Sequence, residues 1–278
     1  MKRNLELPAE LEPFRQEIES SEKPVIKITY ERKATDFWSS KFGGVPYLPK
    51  GYDFPKDSDG KYMYLLAQLN FEEIFAQVPY LASFPKKGIL QFYIGDTDMY
   101  GMDLDNLDHQ KDFKILYFPE IDTNNCQTYF AFLLNQEVKR FSPLNYKYVN
   151  NPQECLALQF SPDNECVCPE DYQFNNIFEE QKVIKLWEVM SADNYKLFDW
   201  YYANIYEIHH KIGGYGYFTQ TDPREDSPQY KDHKVVLLHM ISDDEICWGD
   251  CGVGNFLIRA EDLENLDFSQ VIYNYDCS

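Results

Sequence analysis

The chain has 278 residues, enough for one large domain or two intimately packed ones, and its apolar share of 44% is compensated by 22 Tyr and 20 Phe. Acidic residues outnumber basic ones, 46 against 26, for a formal net charge of −20. That balance argues against a broad electrostatic footprint on bare DNA or RNA, and it leaves room for a basic protein partner. No stretch is apolar for long enough to cross a membrane, and Met1 to Ser21 contains no apolar run of the signal-peptide kind. The seven cysteines are an odd number, so the expectation is a cytoplasmic protein with reduced thiols.

In chain order, Leu7, Leu11, Phe14 and Ile18 recur at spacings of three and four and predict an amphipathic helix over residues 5–22, with Pro8 suited to its first turn. Val25 to Tyr30 is β-branched and predicts a strand. Residues 35–60, rich in Gly, Pro and aromatics, read as an ordered loop packed by its own rings. Strands are expected at Tyr62–Leu69, Gly88–Ile94 and Phe113–Phe118, with a short helix at Phe71–Ala76. Further strands are expected at Tyr129–Leu134, Glu137–Phe141 and Leu156–Phe160, the last closed off by Ser161-Pro162-Asp163-Asn164. Residues 176–209 turn helical, with a fresh cap at Ser191-Ala192-Asp193. Strands then follow at Lys234–Ile241, Asn255–Arg259 and Gln270–Tyr275.

Two parts of the chain repeat the same blocks in the same order. Lys41-Phe42-Gly43-Gly44 is answered by Lys211-Ile212-Gly213-Gly214, and Tyr64-Leu65-Leu66 by Val236-Leu237-Leu238. Gly88 to Ile94 is answered by Gly252 to Ile258, and Asp112-Phe113 by Asp267-Phe268. The fold expected is α+β, predominantly antiparallel β, one domain over 1–278 with duplicated β-rich halves at about 41–118 and 211–277 and a helical insert before the second. A cleft between such halves is a natural ligand site.

The glycine pairs Gly43-Gly44 and Gly213-Gly214 suit structural corners, since no helix start follows either pair to make a phosphate loop. Asp222 and Arg224 either pair with each other in a turn or display a carboxylate and a guanidinium to a ligand. Trp248 and Asp250 flank Gly249, so they fit a hairpin with Trp248 in the core or a cleft floored by it. Cys166-x-Cys168 and Cys247-x3-Cys251 fit isolated thiols better than a zinc site. His239, in an apolar strand, fits a satisfied core histidine. No nucleophile-elbow, zincin, phosphate-loop or dinucleotide fingerprint is present, and neither a metal nor a cofactor is expected.

The series Gly43-Gly44-Val45-Pro46-Tyr47-Leu48-Pro49, Leu65-Leu66-Ala67-Gln68-Leu69 and Gly88 to Ile94 resembles the YwqG-like family of bacterial proteins. Gly213-Gly214-Tyr215, Gln220 to Arg224, Trp248-Gly249-Asp250 and Asn255 to Ile258 extend the likeness over most of the chain from Lys41 to Cys277. That family is in turn remotely similar to the programmed cell death protein 2 group, whose members act as chaperones for a ribosomal protein. The resemblance transfers no catalytic residue. It implies a binding or chaperone-like module that holds a basic protein between the halves. The alternatives are an enzyme acting on RNA or a nucleotide, with Asp222, Arg224, Trp248 and Asp250 as its site, and an immunity or accessory protein.

Overall fold

The structure is a computed structural model that describes residues 5–79, 83–128, 141–149, 151, 154–178 and 180–277. The strands expected at Tyr129–Leu134 and Glu137–Phe141 lie, Phe141 apart, outside the described residues.

Ten strands form one sheet: β1 Lys23–Arg32, β2 Lys41–Phe42, β3 Tyr64–Asn70, β4 Ile89–Ile94, β5 Phe113–Phe118, β6 Leu156–Glu165, β7 Lys211–Gly213, β8 Val235–Ile241, β9 Val253–Ile258 and β10 Ile272–Asp276. Their order is β10-β9-β8-β7-β1-β6-β2-β3-β4-β5, and every pairing between them is antiparallel. The long β1 and β6 pair over their full length, from Lys23 opposite Glu165 to Arg32 opposite Leu156. Four short strands continue outward on each side, β2 to β5 and β7 to β10, each in sequence order. β6 runs straight through Pro162, where a strand end was expected. Only Leu156 and Ala157 of β6 pair with β2. From Phe160 onward β6 has no ladder on that flank, so a proline nitrogen facing it costs no hydrogen bond.

The sheet curls into a half-barrel, which brings the two outer quartets face to face. Phe92 of β4 meets Phe256 of β9 at 4.9 Å, and Phe113 of β5 meets Tyr273 of β10 at 5.3 Å. Phe256 and Tyr273 stack at 4.4 Å with their planes 4° apart. Along β4, Leu90, Phe92 and Ile94 enter this inner core. Ile89 and Tyr93 instead join Val45, Tyr47, Leu48 and Phe54 of the β2–β3 connection in an outer cluster. A third cluster packs Leu11, Phe14 and Ile18 against Cys166, Phe174, Leu186, Met190, Tyr201 and Tyr206. Strands covered on both faces read as unbroken apolar runs, which is why β4 and β8 stood out in the sequence.

The N-terminal helix is shorter than expected: a 3-10 turn, Glu12–Phe14, runs into an α-helix, Arg15–Ser20. Pro13 supplies no N–H, and the α-helix begins two residues beyond it. Asn70 caps the helix Phe71–Gln77 by accepting from the Glu72 amide at 3.0 Å. The insert contains the helices Phe174–Ile177 and Glu180–Asn204. The second runs on past the expected cap at Ser191-Ala192-Asp193, although Tyr195 carries a φ of 60°. Its buried face is Leu186, Met190 and Tyr201, while Ile184 is 55% exposed.

Tyr64 lies opposite Ile94 and Val235 opposite Ile258. Phe113 opens β5, whereas Phe268 lies ahead of β10.

Because Phe256 contacts rings from both quartets, Phe256→Ala is expected to cost about 3–5 kcal/mol in urea unfolding. A loss below about 1 kcal/mol would contradict a shared core.

Candidate functional site

Buried polar side chains sit in two rows that cross the sheet beside the glycine pairs. In one, Lys41 of β2 lies opposite Gln68 of β3, which lies opposite Gln91 of β4. In the other, Lys211 of β7 lies opposite His239 of β8, which lies opposite Asn255 of β9. All six are buried. Gln91 donates to the Tyr47 carbonyl at 2.6 Å, and Asn255 donates to the Tyr217 carbonyl at 2.9 Å. In each case the row is tied to the aromatic loop that leaves the glycine corner.

The rows differ in how the lysine is held. Lys211 Nζ donates to Glu165 Oε1 at 2.6 Å and to the Tyr206 hydroxyl at 2.8 Å. Glu165 Oε1 also accepts the Tyr215 amide at 2.6 Å. Gly214, at φ +69°, makes room for this, because a Cβ there would overlap the Glu165 carboxylate. Burial pushes the Glu165 carboxyl up against the pull of Lys211. Lys41 has two carbonyls instead, Asp36 O at 2.7 Å and Val45 O at 3.1 Å. Burial pushes its pKa down to about 8. Gly44, at φ +73°, gives way here to Cys155, whose Cβ would lie 2.8 Å from an added one.

Beside the second row, Cys168 donates to Glu170 at 3.2 Å, and the Tyr202 hydroxyl donates to the same carboxylate oxygen. His239 Nδ1 lies 2.7 Å from Asn255 Oδ1. Since the Asn255 amide nitrogen already donates to Tyr217, Nδ1 carries the proton, and burial holds His239 neutral. Its Nε2 and the Glu165 Oε2 have no hydrogen-bond partner among the described residues. His239 is therefore satisfied on one nitrogen only, short of the fully paired core histidine expected.

Asp222 and Arg224 meet, but in the interior. Both are buried, Arg224 at 0% exposure. Its guanidinium bonds Asp222 through Nε at 2.9 Å and Nη2 at 2.7 Å, Asp171 at 2.9 Å, and the His233 carbonyl at 2.9 Å. Burial works against the charge, and the two carboxylates more than restore it. Asp222 also accepts the Tyr172 amide and Asp171 the Gly216 amide, each at 2.9 Å. This cluster fastens the 166–173 segment to the loop after the second glycine pair, and it turns no charge toward solvent. Trp248, also at 0% exposure, packs in the inner core against Tyr100, Tyr273 and Tyr275, while Asp250 is exposed two residues on. The four residues thus divide between the Asp171 cluster and the turn at Trp248. The two cysteine pairs considered for zinc are also apart in environment, Cys166 and Cys168 buried, Cys247 and Cys251 exposed.

The space between the quartets is closed by a strap that sequence periodicity did not mark. Residues 95–112, joining β4 to β5, reach across to β10 and its surroundings. Tyr273 of β10 donates its amide to the Leu107 carbonyl at 2.9 Å and its hydroxyl to the Tyr100 carbonyl at 3.2 Å. Gln110 donates to the Phe268 carbonyl at 2.7 Å, the Gly249 amide to the Tyr100 hydroxyl at 3.2 Å, and the Tyr230 hydroxyl accepts the Leu107 amide at 3.1 Å. The strap carries six aspartates and one lysine, and Leu104 at its tip is 70% exposed. Its foot adjoins the loop 51–62, where Ser58 donates to Asp112 through its amide at 2.9 Å and its hydroxyl at 2.6 Å. The same loop opens an aromatic depression of about 600 Å³ between Tyr52, Phe54 and Tyr62. The signal available in the sequence was the density of Asp around Leu104 and Leu107 between two apolar strands.

Lys41 gives a pH prediction. Its folded pKa of about 8 lies below the ordinary 10.5, so the unfolded chain binds more protons between those values and stability rises with pH. The stability of wild type minus that of Lys41→Met is expected to grow by on the order of 3 kcal/mol from pH 8 to 10.5. A difference that stays flat in urea titrations would contradict the assignment.

No helix among the described residues is long and apolar enough to cross a membrane. No curated protein matches the sequence. The family model for DUF1963, a domain of unknown function, matches residues 40–277, from just before the Lys41 corner to Cys277, one residue past β10. The chain belongs to the DUF1963 family.

Proposed function

We propose that the chain is a binding module that holds a basic, apolar-anchored segment of a protein partner along the strap 95–112 and the adjoining loop 51–62. The observation that carries this reading is Leu104, 70% exposed on an acidic strap in a chain of net charge −20. The inner face between the quartets is occupied by Phe92, Phe113, Phe256 and Tyr273, so the partner binds over the seam and not within it. An exposed leucine flanked in sequence by Asp103 and Asp105 suits a segment with Lys or Arg around an apolar residue, and the depression at Tyr52, Phe54 and Tyr62 suits the anchor itself. The closer resemblance to the YwqG-like proteins, and the remote one to the programmed cell death protein 2 group with its chaperone role, agree with a module that shields a basic protein in the cytoplasm.

The scaffold beneath this surface arose, on the same reading, by duplication of a strand quartet. The irregularity between Leu65 and Ala67 on β3 has its counterpart between Val236 and Leu238 on β8. The Lys41 row matches the Lys211 row position for position, down to the side-chain amide that donates to Tyr47 O in one and Tyr217 O in the other. What the two quartets do not share is the long β4–β5 strap, and the partner surface is placed there.

A photo-crosslinking residue at position 104 is expected to capture a defined Lys- and Leu-containing peptide. The same residue at position 184, also exposed, is expected not to. Capture should fall with added salt, since the attraction is between exposed charges. Equal yields from the two positions, or salt-independent capture, would refute the assignment.

A further inference from the structure

Three thiols lie on or beside the β8–β9 turn and the end of β10, and none takes part in the binding surface proposed above. Cys247 and Cys251 are exposed and Cys277 is half-buried, whereas Cys126, Cys155, Cys166 and Cys168 are buried. The turn 248–252 between β8 and β9 wraps directly around Cys277. A Cβ added to Gly249 would lie 2.8 Å from Cys277 Sγ, and one added to Gly252 would lie 2.7 Å from Cys277 Cα. Both glycines therefore leave the space that the Cys277 side chain occupies. Cys247 Sγ sits against the same turn, 3.3 Å from the Gly249 carbonyl, and the Tyr275 hydroxyl donates to Cys277 Sγ at 3.2 Å.

The register sets the turn beside Cys277. Val253 of β9 lies opposite Asp276 of β10, so the next step outward sets Gly252 beside Cys277, and Cys251 is one residue further along the turn. Consecutive Cα atoms are about 3.8 Å apart, which keeps Cys251 within roughly the Cα separation a disulfide spans. Cys251 has a φ of 59°, a conformation that takes it out of strand alternation, so the turn does not force its side chain to the face opposite Cys277.

We propose that Cys251 and Cys277 form a reversible oxidation site for hydroperoxides. One thiolate attacks the peroxide O–O bond, becomes a sulfenic acid and releases the second oxygen as water or the corresponding alcohol. The other thiolate then attacks that sulfur and expels water. The net change is two thiols and one hydroperoxide giving one disulfide, one water and the alcohol, or two waters from hydrogen peroxide. The bond staples β10 to the β8–β9 turn. Tyr275 of β10, through its amide on Met102 Sδ at 3.1 Å, and Gly249 of the turn, through the Tyr100 hydroxyl, are both contacts of the strap, so oxidation fixes the edge on which the strap rests.

The experiment treats the full chain with stoichiometric hydrogen peroxide, blocks remaining thiols and maps cross-linked peptides by mass spectrometry. Wild type and Cys247→Ser are expected to give a Cys251–Cys277 cross-link that dithiothreitol removes. Cys251→Ser and Cys277→Ser are expected to lose it. The apparent Tm of the oxidised wild type should rise by roughly 5 °C over the reduced form, an increment absent from both single variants. A cross-link that maps to Cys247–Cys251 in wild type would overturn the proposal. Oxidation of each thiol separately to sulfinic acid would overturn it as well, as would protection of the three thiols by a tightly bound soft metal that a chelator releases.

Discussion

The contact on which the fold depends is the meeting of aromatic rings between the two outer quartets, with Phe256 stacked on Tyr273 and reached by Phe92 and Phe113. A flat ten-stranded sheet would leave one broad apolar face and two open edges exposed to other chains. Curling lets each quartet cover the inner face of the other, and rings at these distances add roughly 0.5–1.5 kcal/mol per pair beyond their burial. The strap follows from the same closure. Once β5 and β10 face each other, the long β4–β5 connection is near enough to bond the backbone of β10 at Tyr273 and to cover Trp248 with Tyr100.

The buried polar rows act as register keys. A slip of one residue in β3 or β8 would exchange the inner and outer faces of the strand. It would carry Gln68 or His239 into the aromatic core and break bonds to Tyr47 O or Tyr217 O through their neighbours. The lysine in each row is expensive to bury, and the two corners meet that expense differently. Lys211 is matched by Glu165, which fits only because Gly214 has no side chain, whereas Lys41 relies on two carbonyls and sits on a lowered pKa. Ion pairs held this deep give specificity of arrangement more than net stability, and Arg224 between Asp171 and Asp222 belongs to the same class.

Much of the scaffold was legible in the sequence because its strands are covered on both faces and its corners need glycine. Phe113–Phe118 was found to the residue, and Gly43-Gly44 and Gly213-Gly214 were read as corners. The polar residues were harder. Asp222 and Arg224, polar among aromatics, fitted either a turn pair or a ligand site. The residue that completes their cluster, Asp171, is about fifty positions away and carries no local mark. Trp248 fitted core and cleft equally until Tyr100, from a loop with no periodicity, was seen packed on it. Pro162 was taken as a stop, although a strand with one unpaired flank tolerates it. Cys277 joined Cys247 and Cys251 only through the β9–β10 register, which pairwise spacing does not express. The strap has no periodicity to mark it, and only the bonds to β10 make it a closure.

The most direct measurement of this account is a double-mutant cycle on Phe92 and Phe256, one ring from each quartet, using Phe→Leu substitutions and urea unfolding. If the quartets share one core, the two changes couple by about 0.5–1.5 kcal/mol. Additivity within about 0.3 kcal/mol would mean that the rings do not meet, and that the seam is an open cleft instead of a sealed face.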